Sequence, residues 1–264
     1  MGTAHAASIV TDTLVNQSAR AQSNVAVTFG QVFKDGDVPK GATLTATLGG
    51  RTVALQVDPK ATNPDGSLRH AVLTAMAPSL AARAKLPLTL STGPTPLTGP
   101  PIALSQLLAT GYDAEASLDI GGVTYSASAH TLLQAANGAE ACRPWSRTCN
   151  VWLSGPLVSA WVVNGPVTAA NGTANPNLRV YFAVRVYAGA TPGTVGAVRT
   201  DIIVENTQAY TPQAQPQYTA TLTSGSATYT SPALTQYTAT RWHKVLWWNN
   251  AQPQVYLQQD TQYI

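Results

Sequence analysis

The sequence predicts an all-β fold: a small N-terminal β-barrel followed by a larger antiparallel β-sandwich. Three observations carry this. Apolar and polar residues alternate, as in Thr43-Leu-Thr-Ala-Thr-Leu48, and a period of two marks a half-buried strand. The alternating segments are rich in Val, Thr, Tyr and Trp, side chains that suit a pleated surface. Gly, Pro and Asn clusters separate them at intervals of about 10–20 residues with few helical patterns between, the spacing of barrels and sandwiches.

Taken in order, the first strand signal is Asn24 to Phe29. Thr43 to Leu48 and Thr52 to Val57 flank Gly49-Gly50, which reads as a β-hairpin with a primed turn. Pro64-Asp-Gly66 supplies a turn before a strand from Arg69 to Ala77, because Asp can hydrogen-bond its own backbone there. Ser79 to Lys85 and Ile102 to Ala109 read as short helices, with a Pro- and Gly-rich linker from Gly93 to Pro101 between them. Leu118 to Ile120 and Val123 to Ser126 surround a second glycine pair, Gly121-Gly122. Five further strands come after these: Leu157 to Val163, Leu178 to Tyr187, Val198 to Glu205, Tyr218 to Leu222 and Thr235 to Leu246. Loops at Asn171 to Asn177 and Ala188 to Gly196 break the run. The linker divides the chain into an N-terminal domain, residues 1–92, and a C-terminal domain, residues 102–264.

Composition narrows the function classes. The chain has 264 residues, 44% hydrophobic and 10% charged, against about 25% charged in ordinary proteins. A core of this size excludes charge-driven disorder. The net charge is +3 and the 15 Lys and Arg are scattered, which argues against a nucleic-acid partner. No stretch reaches the roughly 18 apolar residues that suggest a membrane span. Met1 to Val10 lacks the basic and apolar regions of a secretory signal. A neutral surface is easier to tolerate where other subunits cover it, so the composition favours an assembling protein.

Chemistry-bearing groups do not cluster. His5, His70, His130 and His243 lie far apart, and none has metal-ligand spacing. Asp35 and Asp37 read as a solvated turn, and Glu205 as the end of a strand. No nucleophile elbow, phosphate loop or dinucleotide fingerprint occurs. The expectation is therefore no catalytic residue, no metal and no cofactor. Cys142 and Cys149, with six residues between them, read as a local disulfide or as two inert thiols.

Aromatic residues are the better candidates. Arg241-Trp242-His-Lys-Val-Leu-Trp247-Trp248-Asn249-Asn250 gathers three tryptophans beside Arg and Asn. In a strand these alternate faces. Core filling is the plain reading, while Arg241, Trp242, Trp247, Trp248 and Asn249 are the candidates for an interface or for stacking on sugar rings. Trp145, Trp152 and Trp161 divide the same way.

One resemblance emerges from Val27-Thr-Phe-Gly-Gln-Val-Phe33, Gly36-Asp-Val-Pro39, Leu55-Gln-Val-Asp58 and Pro64-Asp-Gly-Ser-Leu-Arg-His-Ala-Val-Leu73. This region resembles the N-terminal RIFT-related β-barrel of exo-rhamnogalacturonan-lyase-like proteins. Leu153-Ser-Gly-Pro-Leu-Val-Ser159, Asp201-Ile-Ile-Val-Glu-Asn206 and Arg241 to Trp248 are similar to the region after that barrel in large phage-encoded and bacterial proteins. No matched segment is a catalytic motif, so the resemblance implies a fold and no active-site residues. The chain stops at Ile264 without a polar tail, as expected for the front of a longer polypeptide. The first functional expectation is a phage virion structural protein, the anchoring part of a tail fibre. Its partners would be other tail proteins, copies of itself and a host-surface glycan. The alternative is a secreted or periplasmic carbohydrate-binding accessory domain of a polysaccharide-degrading enzyme.

Overall fold

A computed structural model describes residues 8–93, 97–136, 142, 149–191, 193–207 and 214–260. The N-terminal part contains β1 (Ser8–Asn16), β2 (Gln22–Val32), β3 (Thr43–Leu48), β4 (Arg51–Val53), β5 (Leu55–Thr62), β6 (Leu68–Leu80) and β7 (Lys85–Gly93). Two short helices, α1 (Leu104–Leu108) and α2 (Ala129–Ala136), bracket β8 (Ala114–Ile120) and β9 (Val123–Ser128). Then come β10 (Cys149–Ser154), β11 (Val158–Ala169), β12 (Ala174–Ala188), β13 (Val195–Asn206), β14 (Gln217–Ser224), β15 (Ala227–Thr230), β16 (Leu234–Thr235), β17 (Thr240–Trp247) and β18 (Val255–Gln258). The chain is all-β.

The N-terminal barrel is built from two sheets. Strands β2-β6-β5 form one, and β18-β1-β7-β3-β4 the other. Strict alternation sends Leu44, Ala46 and Leu48 of β3 inward, where they meet Leu14, Phe29, Leu73, Leu88 and Leu90 in one core. The Gly49-Gly50 hairpin forms as expected, with both glycines at positive φ (57° and 79°), the primed turn that matches strand twist. Gly121-Gly122 joins β8 to β9 in the same way.

Several elements differ from the sequence reading. Thr52 to Val57 is two strands, because the chain changes sheets at Ala54: β4 pairs with β3, and β5 pairs with β6. The Ala54 carbonyl still accepts a bond from Met76 N at 3.0 Å. Pro59 fits within β5 because that strand is a sheet edge with an adjacent bulge. Ser79 to Lys85 is not a helix. Ser79 and Leu80 pair with Ser23 and Gln22, and Lys85 opens β7, so ladder bonds override local propensity. Thr235 to Leu246 breaks at Ala239, whose φ is 59°. The sequence reading also lacked β1, β7, β10, β18 and α2. Notably, β18 comes from the sequence assigned to the C-terminal domain, yet it pairs with β1 of the barrel.

Among the described residues the C-terminal strands make one ten-stranded sheet. Its path is β15-β14-β8-β9-β11-β12-β13-β17, with β10 on β11 and β16 on β14. The sheet curls until its halves face each other across one core, as the layers of a sandwich do. Leu118, Val163, Val180, Phe182, Ile202 and Leu222 fill that core. Side chains draw its two ends together: Trp242 Nε1 of β17 donates to the Tyr218 hydroxyl of β14 at 2.8 Å, and Lys244 Nζ lies 4.3 Å from the Tyr229 ring centre.

Candidate functional site

The barrel and the large sheet meet outer face to outer face. Val72 of β6 packs with Leu153, Val158, Ala160 and Tyr187, and Ala26 and Trp247 border the cluster. One edge of this contact is polar, and β5 supplies it. A strand's side chains alternate, so Gln56, Asp58 and Lys60 share a face. Gln56 Oε1 accepts from the Leu157 and Val158 amides at 2.9 and 3.0 Å. Its Nε2 donates to Val158 O at 2.9 Å and to Asp58 Oδ2 at 2.8 Å. Gly155 is required beside it, since a Cβ there would collide with the Gln56 amide. Asp58 Oδ1 also accepts from Ser154 N at 3.2 Å. Lys60 Nζ donates to Trp152 O at 2.5 Å and sits 4.2 Å from that indole centre. Burial pushes the Asp58 carboxyl up and the Lys60 ammonium down from their usual ranges. Every polar group here has a partner across the junction, which is the arrangement of a joint.

The opposite edge is an open groove of about 360 Å³. Residues Val25 to Phe29 of β2 form one wall, and Tyr256 of β18, 41% exposed, stands at its rim. The other wall is a row across three strands, in which Arg185 of β12 lies opposite Arg199 of β13, and Arg199 opposite Trp247 of β17. Outward alternation puts all three on this face, since Val184, Val186, Val198 and Leu246 point into the core. The Trp247 indole stacks on the Tyr187 ring, centres 5.7 Å apart at 12°. Arg199 Nη2 pairs with Asp201 Oδ1 at 2.9 Å, and His243 Nδ1 lies 3.9 Å from the same oxygen. Arg185 Nε is buried without a hydrogen-bond partner. Aromatic surface and guanidinium donors thus line one concave site, a combination suited to a ligand with both flat apolar faces and polar groups. A larger cavity of about 570 Å³ lies between β3, β5 and residues 97–101, and its walls are chiefly aliphatic and proline side chains.

Of the five aromatic-strand candidates, only Trp247 lines the groove. Trp242 is half-buried at the seam of the curled sheet. Its hydrogen bond opposes the effect of burial, which still pushes the Tyr218 hydroxyl up to about 12. Trp248 meets the buried Tyr112 edge-on, centres 6.1 Å apart at 79°. Asn249 Oδ1 accepts from Ser226 N at 3.2 Å. Arg241 is 73% exposed, its nearest carboxylate oxygen being Glu205 Oε1 at 3.6 Å. Trp161 fills the core, Trp152 lies beneath Lys60, and Trp145 falls outside the described residues. Cys142 and Cys149 form a disulfide, their Cα atoms 4.6 Å apart. Asp65 accepts from both Ser67 N and Ser67 Oγ, as its turn requires. Sequence reasoning missed Arg185 and Arg199. Each is a charge within a Val- and Tyr-rich strand of a chain with few charges, a legible signal, but their apposition depends on register.

No curated protein matches the chain. Residues 11–89 match the family described as the PcRGLX-like N-terminal RIFT barrel domain. The first barrel of this chain, from β1 into β7, is therefore similar to the PcRGLX-like N-terminal RIFT barrel domain.

Proposed function

We propose that this chain is a carbohydrate-binding accessory module, of the kind that accompanies polysaccharide-active enzymes, and that it works by holding a saccharide in the groove between β2 and the outer face of β12-β13-β17. The observation that carries this is the stacked Trp247–Tyr187 pair set in a concave wall beside Arg185 and Arg199. Sugars offer flat C–H faces to an aromatic ring and hydroxyls to guanidinium and amide donors. The RIFT barrel match supports the same direction, because the resembling proteins act on polysaccharides. The module acts by binding and not by turnover: its titratable groups at the junction are engaged in holding the two halves together. The Cys142–Cys149 disulfide supports a secreted or periplasmic setting. Assembly into a virion, which the composition favoured, gains no support from the family match or from the groove.

Calorimetric titration of the whole chain with a panel of plant-type and bacterial oligosaccharides tests this. We expect saturable binding that weakens about tenfold in Trp247→Ala, the loss of roughly 1.4 kcal/mol of stacking. Near-UV circular dichroism controls for repacking around Tyr187. A panel with no binding at millimolar ligand would reject the proposal.

A further inference from the structure

Arg185 and Arg199 face each other directly across β12 and β13. Like charges in that position repel, and the pair stands in a chain of which only 10% is charged. Asp201, two residues along β13, meets Arg199 at 2.9 Å. Among the described residues it is the carboxylate recorded against this pair, and it engages Arg199 alone. That leaves one of two guanidinium charges without a carboxylate. Arg185 Nε is moreover buried with no hydrogen-bond partner, so no protein acceptor offsets that part of its charge. Both arginines line the groove opposite β2, and Trp247, next in the same row, adds an apolar surface stacked on Tyr187.

We propose that Arg185 and Arg199 form an oxyanion-binding subsite, and that the groove takes a saccharide carrying a carboxylate or a sulfate. This rests on the glycan-binding reading and specifies its ligand. A bound oxyanion answers two features together. It offsets the repulsion between the two guanidinium groups. It also uses the planar donor fork that distinguishes Arg from Lys. The sugar ring bearing the anion then lies against the aromatic surface at Trp247. Carboxylate and sulfate present the same oxygens to this pair, so the choice of ligand within the class is left to the binding data.

The test is titration of the whole chain with three tetrasaccharides of matched backbone: a uronate, its carboxyl-reduced neutral counterpart, and a sulfated form. At low salt, the uronate or the sulfated form should bind at least about tenfold tighter than the neutral one, a margin equal to roughly 1.4 kcal/mol. That margin should shrink as salt rises. Arg185→Gln should abolish the margin, Arg185→Lys should restore part of it, and Arg241→Gln, at an exposed position outside the groove, should preserve it. Equal binding of charged and neutral forms, lost in Trp247→Ala, would overturn the oxyanion subsite and leave the glycan reading intact. A charge preference that survives both Arg185→Gln and Arg199→Gln would also overturn it, because the anion would then be held elsewhere. Failure of all three saccharides to bind would overturn both readings. Should Arg185→Gln fail to fold, Arg185→Lys and Arg199→Gln carry the comparison.

Discussion

At the scale of single residues, buried carboxylates make a prediction with a definite sign. Asp12 is 1% exposed on β1. Its Oδ1 accepts from Asp260 N at 2.8 Å, while Oδ2 is buried without a partner. Burial raises its pKa, outweighing the backbone bond from Asp260, and the Asp260 charge pushes the same way. Asp58 is raised by burial too. For such groups the folded state holds protons that the unfolded state has released, so their contribution favours folding at low pH and is lost as pH rises through the folded pKa. Asp12→Asn removes the titration and retains an oxygen for the Asp260 amide. The mutant should gain stability relative to wild type between about pH 4 and pH 7, the interval above the ordinary carboxylate range. Urea denaturation across that interval checks this; a penalty independent of pH would mean that the carboxylate is not desolvated in the folded state. Alternation puts Asp12 on one face with Val10 and Leu14, but the sequence reading found no strand there, and a carboxylate among inward residues breaks the apolar pattern that would have shown one.

At the scale of elements, glycine pairs and alternation were enough to find the hairpins and the long C-terminal strands, because a two-residue turn and a period of two are both local. The short strands were not found that way. Val255-Tyr-Leu-Gln258 is too brief to show a pattern, and what makes it a strand is pairing with β1 from Thr13↔Gln258 to Asn16↔Val255. Gln259 Nε2 then donates to Gly30 O of β2 at 2.8 Å, which ties the strand to both barrel sheets. Truncation after Pro253 should expose the β1 edge, an open row of backbone groups ready to pair with another chain. The expected outcome is lower thermal stability and concentration-dependent association by light scattering. A truncated chain as stable and monodisperse as the full one would show that β18 is dispensable to the barrel. The helix expected at Ser79 to Lys85 marks the converse error. Ala, Leu, Arg and Lys favour helix locally, but the partner strand Gln22 to Val32 lies far off in sequence and decides the matter.

At the scale of the whole molecule, the two halves are joined by the Val72–Tyr187 apolar cluster, by β18 and by the Gln56 clamp. Gln56 is 5% exposed and makes four hydrogen bonds, three of them to the backbone of Leu157 and Val158. Gln56→Ala strands those backbone groups in a buried junction, at a cost of about 2–3 kcal/mol. Calorimetry should show a single transition for wild type and a lowered, broadened or split one for the mutant. An unchanged single transition would mean that the apolar cluster alone couples the halves. The joint also sets the width of the groove, because β2 forms one wall and the large sheet the other. The clamp lies in the sequence as Leu55-Gln-Val-Asp58, a segment whose resemblance to a family is local while its contacts are about 100 residues away.

The sequence by itself determined the all-β class, the glycine turns and which residues of a strand share a face, since each follows from backbone geometry over a few residues. Only the tertiary structure decided which strands are neighbours, that the last strand completes the first barrel, and that Arg185, Arg199 and Trp247 fall in one row facing β2. The physical reason is that alternation fixes a side chain's face but not its height or its neighbour. Register is set where buried residues such as Phe182, Ile202 and Leu246 pack side by side on the inner face of neighbouring strands, and only then do two arginines fourteen positions apart come to stand side by side.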